Sequence, residues 1–172
     1  MEERVRKLKE TIGIPPDQHP VDVLGIASSL GVKVYDTEFA TPEVSALVVT
    51  SRERVPEWVV PGERATLFVA KNKAPFQKVF VIAHGLGHVI LGHVGEEGLR
   101  TDLLGGGIPY DPQAEREANL FATALLMPGI PFRRAWGALA ERGIHYVATV
   151  FGVPVNAVVM RAQELGLEVP LP

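Results

Sequence analysis

Two histidines, His84 and His88, lie four residues apart in a chain of 172 residues that contains no cysteine. Residues four apart on an α-helix project from one face, about one turn from each other. This spacing lets two imidazoles bind one zinc ion at about 2.0–2.1 Å per Zn–N bond. Any further protein ligand would be histidine, aspartate or glutamate. A histidine pair on a helix is more often a surface or packed feature, so spacing alone does not establish a metal site.

A second segment, 112–126, carries two carboxylates beside an apolar stripe. If the segment is a helix, Glu117 lies at one edge of the stripe and Glu115 on its other flank. A half-buried carboxylate needs a cation, which is either a metal ion or an arginine such as Arg116 or Arg161. Periodicity leaves open which glutamate is the third ligand. The stripe itself consists of Ala114, Ala118, Phe121 and Leu125.

Together these segments resemble the ImmA/IrrE metallo-endopeptidases. The run His84-Gly85-Leu86-Gly87-His88, followed by Leu91-Gly92-His93, is similar to the family's HELGHxxLGH run. The run Glu117-Ala118-Asn119, leading through Phe121-Ala122 to Leu125-Leu126-Met127-Pro128, resembles its second signature. The tail from Phe151 to Leu167 is similar to its C-terminal helices. The resemblance implies a zincin-like α+β fold, Zn²⁺ as the cofactor, and His84, His88 and Glu117 as the ligands.

One position departs from that pattern. Where the family carries the glutamate of its HExxH motif, this chain has Gly85. That glutamate would take a proton from the attacking water and deliver it to the leaving amine, and its loss costs about 10² to 10⁴ in rate. The resemblance therefore implies a metallopeptidase architecture with impaired catalysis. Other acids that could serve the water are Glu96, Glu97 and Glu115.

Several residues are candidates for supporting roles. His93 falls five residues after His88, and we interpret it as a structural histidine and not a ligand. Asn119 is a candidate for a hydrogen bond to a ligand. A donor to the developing oxyanion is also needed, and the spacing does not select among Tyr110, His145 and Tyr146.

The remaining pattern predicts the elements that hold these residues, in a single domain over 1–172. The segment Phe76–Leu91 is apolar almost all round, which is typical of a buried helix. The segment 94–113, with Gly105-Gly106-Gly107, is expected to be a long irregular and mobile loop; it could act as a lid, but a plain flexible loop is the preferred interpretation. We further predict helices up to Thr11, over Val21–Leu30 and over Pro112–Leu126, two or three closing helices, and strands over Val32–Tyr35, Val44–Thr50 and Thr66–Ala70.

Composition and charge limit the class of protein. Hydrophobic residues make up 47% of the chain and charged residues 22%, which is ordinary for a globular protein. The charged N-terminal residues do not resemble a signal peptide, and no run reaches the roughly 18 apolar residues of a membrane span. We therefore expect a cytoplasmic protein. The net charge of −3 argues against nucleic-acid binding.

The resemblance implies a protein or peptide substrate, such as a helix-turn-helix transcriptional repressor. A non-catalytic module that binds such a regulator is the main alternative. A further alternative is DNA binding through a helix-turn-helix-like segment near the C-terminus. Its second helix, 154–163, offers only Asn156, Arg161 and Gln163 for contacts, so a packed helical pair is the preferred interpretation.

Overall fold

A computed structural model of the chain describes residues 1–103, 106–108, 111–138 and 142–169. The predicted lid glycine Gly105 and the oxyanion candidate Tyr110 lie outside these residues. Contacts divide the chain into two compact units. We call Asp22–Asn119 the sheet unit, and Met1–Val21 with Leu120–Pro172 the helical unit.

The sheet unit contains a five-stranded mixed sheet in the order β1-β3-β2-β4-β5. Strand β1 is parallel to β3, and the other neighbouring pairs are antiparallel. Helices α2 and α3 pack on each other, and α3 also packs on β2 and β3. The combination of helices with a mixed sheet confirms the predicted α+β class. The bounds are α2 Val23–Ser29, β1 Val32–Thr37, β2 Val44–Val49, β3 Ala65–Ala70, α3 Pro75–Leu91, β4 Leu99–Leu103 and β5 Gly106–Ile108.

One row of paired residues in β2, β3 and β4 faces helix α3. Val48 of β2 is paired with Leu67 of β3 on one side and with Arg100 of β4 on the other. Directly paired residues of neighbouring strands point to the same face of a sheet. Leu67 lies against α3 at Gly85. The register therefore places Arg100 on the α3 side of the sheet.

The opposite face of the sheet has its own apolar cluster around Phe68, the residue after Leu67. Val49 and Val59 are buried with Phe68, and partly buried residues including Tyr35 pack against them. Both faces are thus covered, which explains why every residue of β3 is buried.

The three predicted strands and the predicted helices are confirmed, with end shifts of up to two residues. The prediction that 94–113 is wholly irregular is wrong, because β4 and β5 lie within it. These strands form by pairing with β2 and with each other, which local patterning does not reveal. The mobility of the segment stays a prediction.

Burial of α3 is confined to one part of the helix. The N-terminal half begins with Pro75 at its first position, and Phe76 is exposed. Every residue from Ile82 to Val89 is buried. The predicted buried helix is therefore confirmed where the histidines lie.

The helical unit contains α1 (Glu2–Thr11), α5 (Gly129–Gly137), α6 (Ile144–Phe151) and α7 (Val155–Glu164). Helix α4 (Pro112–Leu126) begins in the sheet unit and ends in the helical unit. Within the described ranges, no single helix is long and apolar enough to cross a membrane, although the bent pair α6 and α7 passes that test taken together.

Candidate metal centre

Helix α3 presents two imidazoles side by side. His84 and His88 are one turn apart, and their Nε2 atoms are 3.0 Å from each other. His88 is fully buried and His84 is almost so. The predicted pair therefore lies on one buried face of the helix.

The carboxylate that joins this pair comes from Glu115 at the start of α4. Its Oε2 atom lies 3.4 Å from Nε2 of His84, and its Oε1 atom lies 3.6 Å from Nε2 of His88. The helix is capped by Asp111, which precedes it and whose Oδ1 accepts hydrogen bonds from the backbone N–H groups of Gln113 and Ala114. This cap places Glu115 in the first turn of α4.

Glu117, expected as the third ligand, lies elsewhere. Two residues further along a helix is a rotation of about 200°, so Glu115 and Glu117 point in nearly opposite directions. The structure places Glu117 beside His93 and Gln113. Among the described residues, the group of donor atoms close enough to share one ion consists of His84, His88 and Glu115. Rotation about α4 thus separates Glu117 from this donor group, and the ligand role expected of Glu117 stays an untested prediction.

The Nδ1 atom of His84, the ring nitrogen that does not face His88, contacts a residue of α4. Its Nδ1 atom lies 3.0 Å from Oδ1 of Asn119. Asn119 follows Glu115 by four residues and so shares its face of α4. With the amide oxygen as acceptor, Nδ1 of His84 carries a proton, and in the neutral imidazole Nε2 then carries a lone pair. Asn119 therefore has the supporting position that the sequence suggested.

The outer nitrogen of His88 faces a second histidine. Nδ1 of His88 lies 3.2 Å from Nδ1 of His93, and Nε2 of His93 lies 3.2 Å from Oε2 of Glu117. The side chain of Gln113 donates to Oε1 of Glu117 over 2.9 Å. This hydrogen bond, followed by the one from His93, holds the pKa of Glu117 below its usual value.

Glu115 also contacts a buried arginine that the sequence did not single out. Nη2 of Arg100 donates to Oε1 of Glu115. Burial opposes ionisation of Glu115, but hydrogen bonds from doubly protonated His84, in the absence of a metal ion, and from Arg100 hold its pKa at about 2. Burial, followed by the nearby charges of His84 and Arg100, lowers the pKa of His88 to about 2. The site thus combines a carboxylate with an imidazole that stays neutral at neutral pH.

These residues fit a metal ion by the chemistry of their donor atoms. If each Nδ1 proton is directed outward, the two Nε2 lone pairs face each other at 3.0 Å. Such lone pairs repel unless a cation lies between them or one nitrogen is protonated. The low pKa of His88 disfavours protonation there, so either a cation or a proton on His84 separates the two nitrogens. Two imidazoles and one carboxylate are a donor set typical of catalytic zinc sites.

The space beside Gly85, where the family carries its general base, is occupied by a core side chain. A Cβ atom built on Gly85 would lie 2.9 Å from Cδ1 and 3.1 Å from Cδ2 of Leu67. Leu67 is fully buried. A side chain at position 85 would therefore require Leu67 to move.

The remaining candidates from the sequence are Glu96, Glu97, His145 and Tyr146. Glu96 and Glu97 are exposed residues between α3 and β4, and neither belongs to the donor group found among the described residues. His145 and Tyr146 belong to the helical unit, where Arg142 stacks over the Tyr146 ring at 5.0 Å. Their suggested role in oxyanion stabilisation stays a prediction.

A buried helix bearing two imidazoles, a carboxylate from the next helix and a small mixed sheet together define a metallopeptidase-like protein. Comparison with known families gives the same answer. The family model described as the IrrE N-terminal-like domain, a peptidase family, matches residues 27–163. The chain belongs to this family, which confirms the resemblance and the zincin-like fold. No curated protein matches the chain significantly.

Proposed function

We propose that this chain binds Zn²⁺ through His84, His88 and Glu115 and recognises a protein, with proteolysis impaired at Gly85. The preferred partner is a helix-turn-helix transcriptional repressor, as the family resemblance implies. One contrast at the site carries the proposal. The three metal-donor residues are all present, whereas the position of the general base is a glycine packed on Leu67.

A bound zinc ion would supply Lewis acidity, polarising the scissile carbonyl and making the attacking water more acidic. The protein's own residues do the rest. Asn119 directs the Nε2 lone pair of His84 into the site. Arg100 holds one oxygen of Glu115, while the other faces His84. Burial excludes water from His88.

Proton transfer is the missing part of the chemistry. Glycine can neither accept a proton from water nor deliver one to the leaving amine. Glu115 is poorly suited as a substitute, because it is paired with Arg100 and its pKa is about 2, far from the neutral pH at which a base works best. We therefore expect cleavage at about 10⁻² to 10⁻⁴ of the rate of a relative with glutamate at this position.

DNA binding is a second candidate because of the geometry of α6 and α7. The two helices are bent by 95° at a short turn, with Gly152 in the left-handed conformation. This is the arrangement of a helix-turn-helix. However, Arg161 is the only cationic residue of α7, and it is buried against Glu2 and Glu164. With that cation engaged, we favour a protein partner. A salt-sensitive shift of duplex DNA by the whole chain would reverse this choice.

The test of impaired catalysis compares three zinc-loaded proteins: the unmodified chain, Gly85→Glu, and Gly85→Glu with Leu67→Ala. The second change makes room for the new side chain. The probe is a purified helix-turn-helix repressor, and cleavage is followed by mass spectrometry of the products. We expect binding without cleavage by the unmodified chain and cleavage at least 100-fold faster by the double variant. Equal cleavage by all three would contradict the impairment, and absence of both binding and cleavage would contradict the choice of partner.

A further inference from the structure

We propose that His93 and Glu117 form a positioning relay that fixes the tautomer and orientation of His88. This inference rests on the proposed metal centre, since its consequence is that Nε2 of His88 presents a lone pair to the metal ion. In this arrangement Glu117 is not a metal ligand; it acts on the ligand His88 through two successive hydrogen bonds, by way of His93.

The relay begins at the end of α3. The helix stops at Gly92, whose φ of 77° lies in the left-handed region that favours glycine. The backbone N–H of the next residue, His93, donates to the carbonyl of His88 over 2.9 Å. This turn reverses the chain and brings the ring of His93 within 5.2 Å of the His88 ring, measured between centroids.

The hydrogen-bonding order follows from the far end of the relay. Ionised Glu117 can only accept hydrogen bonds, so Nε2 of His93 must be the donor across their 3.2 Å contact. In a neutral His93, the other nitrogen, Nδ1, is then an acceptor. It faces Nδ1 of His88 at 3.2 Å, so His88 donates from that atom. The remaining nitrogen of His88, Nε2, is left with its lone pair directed at His84 and Glu115.

Burial favours this arrangement. His88 is fully buried, so its ring nitrogens face protein groups and not bulk water. The carboxylate at the end of the relay is held in turn by Gln113, its neighbour one turn earlier on α4. The relay therefore joins the end of α3 to the outer side of α4, opposite the side that bears Glu115.

The test uses the full chain and two readouts. The first is zinc affinity by competition with a chromophoric chelator; the second is the tautomer of His88 in the metal-free protein, from ¹⁵N chemical shifts of histidine. His93→Ala removes the acceptor, and His93→Asn offers an amide oxygen in its place. Glu117→Leu removes the terminal acceptor, and Glu117→Gln keeps an oxygen that can accept from His93.

We expect zinc affinity to fall about 10- to 100-fold in His93→Ala and Glu117→Leu, which is the usual effect of losing an outer partner of a metal ligand. His93→Asn and Glu117→Gln should stay within about threefold of the unmodified chain if the hydrogen-bond order is what matters. His88 should be protonated at Nδ1 in the unmodified chain and lose that preference in His93→Ala.

The two readouts separate failure of the relay from failure of the metal site. If the unmodified chain binds no zinc but His88 is protonated at Nδ1 and loses this preference in His93→Ala, the proposed function fails and the relay stands. If zinc binds and all four variants keep full affinity with an unchanged His88 tautomer, the relay is wrong. A His88 protonated at Nε2 in the unmodified chain would also overturn it.

Discussion

Each compact unit buries an arginine, and the two arginines differ in what surrounds them. In the helical unit, Arg161 donates to the carbonyl of Met127, to Glu164 and to Glu2. In the sheet unit, Arg100 donates to Glu115, which also faces the Nε2 atoms of the paired histidines. Arg161 and Arg100 are 3% and 2% exposed, so burial alone does not distinguish them.

The difference lies in the acceptors. Around Arg161, the carboxylate of Glu164 is bound by the arginine and by the hydroxyl of Thr123, and the group joins α1, α4 and α7 within the helical unit. Around Arg100, the Nε2 atoms of two imidazoles converge beside an ionised carboxylate. The first arrangement stabilises the packing of three helices. The second brings together donor atoms that could bind a cation.

The largest expected effect is on the helical unit. Arg161→Met leaves Glu164 buried with one charged partner fewer, and we expect the free energy of unfolding to fall by about 3–5 kcal/mol. Urea denaturation measures this change. Zinc binding per folded chain should be unchanged. A matched Arg161→Met, Glu164→Met double variant should recover part of the loss. An Arg161→Met variant as stable as the unmodified chain would contradict the structural role of Arg161.

Arg100→Met should have a metal-dependent effect. Without zinc, Glu115 loses the cation that compensates its burial, and we expect a loss of roughly 2–4 kcal/mol. Saturating zinc supplies another cation and should restore more stability to this variant than to the unmodified chain. The measurement is thermal or urea unfolding with and without zinc. A loss that zinc leaves untouched would argue that Arg100 is a structural residue like Arg161.

Restoring the acid at position 85 should destabilise the sheet unit by about 1–3 kcal/mol, because Gly85→Glu crowds Leu67 in a packed core. Leu67→Ala alone should cost about 2–5 kcal/mol by leaving a cavity. If the two sites share that space, the double variant should lose less than the sum of the single losses. A double-mutant cycle by urea denaturation tests this, and strict additivity would show that the side chains do not compete.

The last effect depends on pH and concerns a buried cation, Lys9, whose Nζ donates to the carbonyl of Pro16. Burial, partly offset by the charge of Asp17, lowers the pKa of Lys9 to about 8 from its ordinary 10.5. The unfolded chain therefore binds more protons between these values, so stability should rise with pH across that window. The slope is at most about 1.4 kcal/mol per pH unit. Lys9→Met should remove this rise in pH-dependent unfolding, and an unchanged slope would contradict the assignment.

Local patterns predicted the elements and the histidine pair well. The apolar run around His84 and His88 correctly indicated a buried helix, and the stripe containing Ala118 and Phe121 is buried as expected. Two features depended on tertiary pairing and were missed. β4 carries a charged sequence and forms against β2, so its existence and the inward position of Arg100 follow from sheet register.

The third ligand shows a different limit. From the sequence, Glu115 and Glu117 flank the same apolar stripe, and either could have faced α3. The rotation of α4 decides between them, and it is set by contacts with the neighbouring elements. The pairing of Glu115 with Asn119 at four-residue spacing was the available signal, because a ligand and a residue that orients its neighbour need to share a face.

The most direct test of the metal centre is zinc content per chain by elemental analysis of the unmodified protein, Glu115→Gln and Glu117→Gln, purified identically. We expect about one zinc per chain in the unmodified protein and in Glu117→Gln, and a large loss in Glu115→Gln. Loss in Glu117→Gln with retention in Glu115→Gln would contradict the assignment of Glu115, and no zinc in any of the three, even after zinc is added, would contradict the metal centre itself.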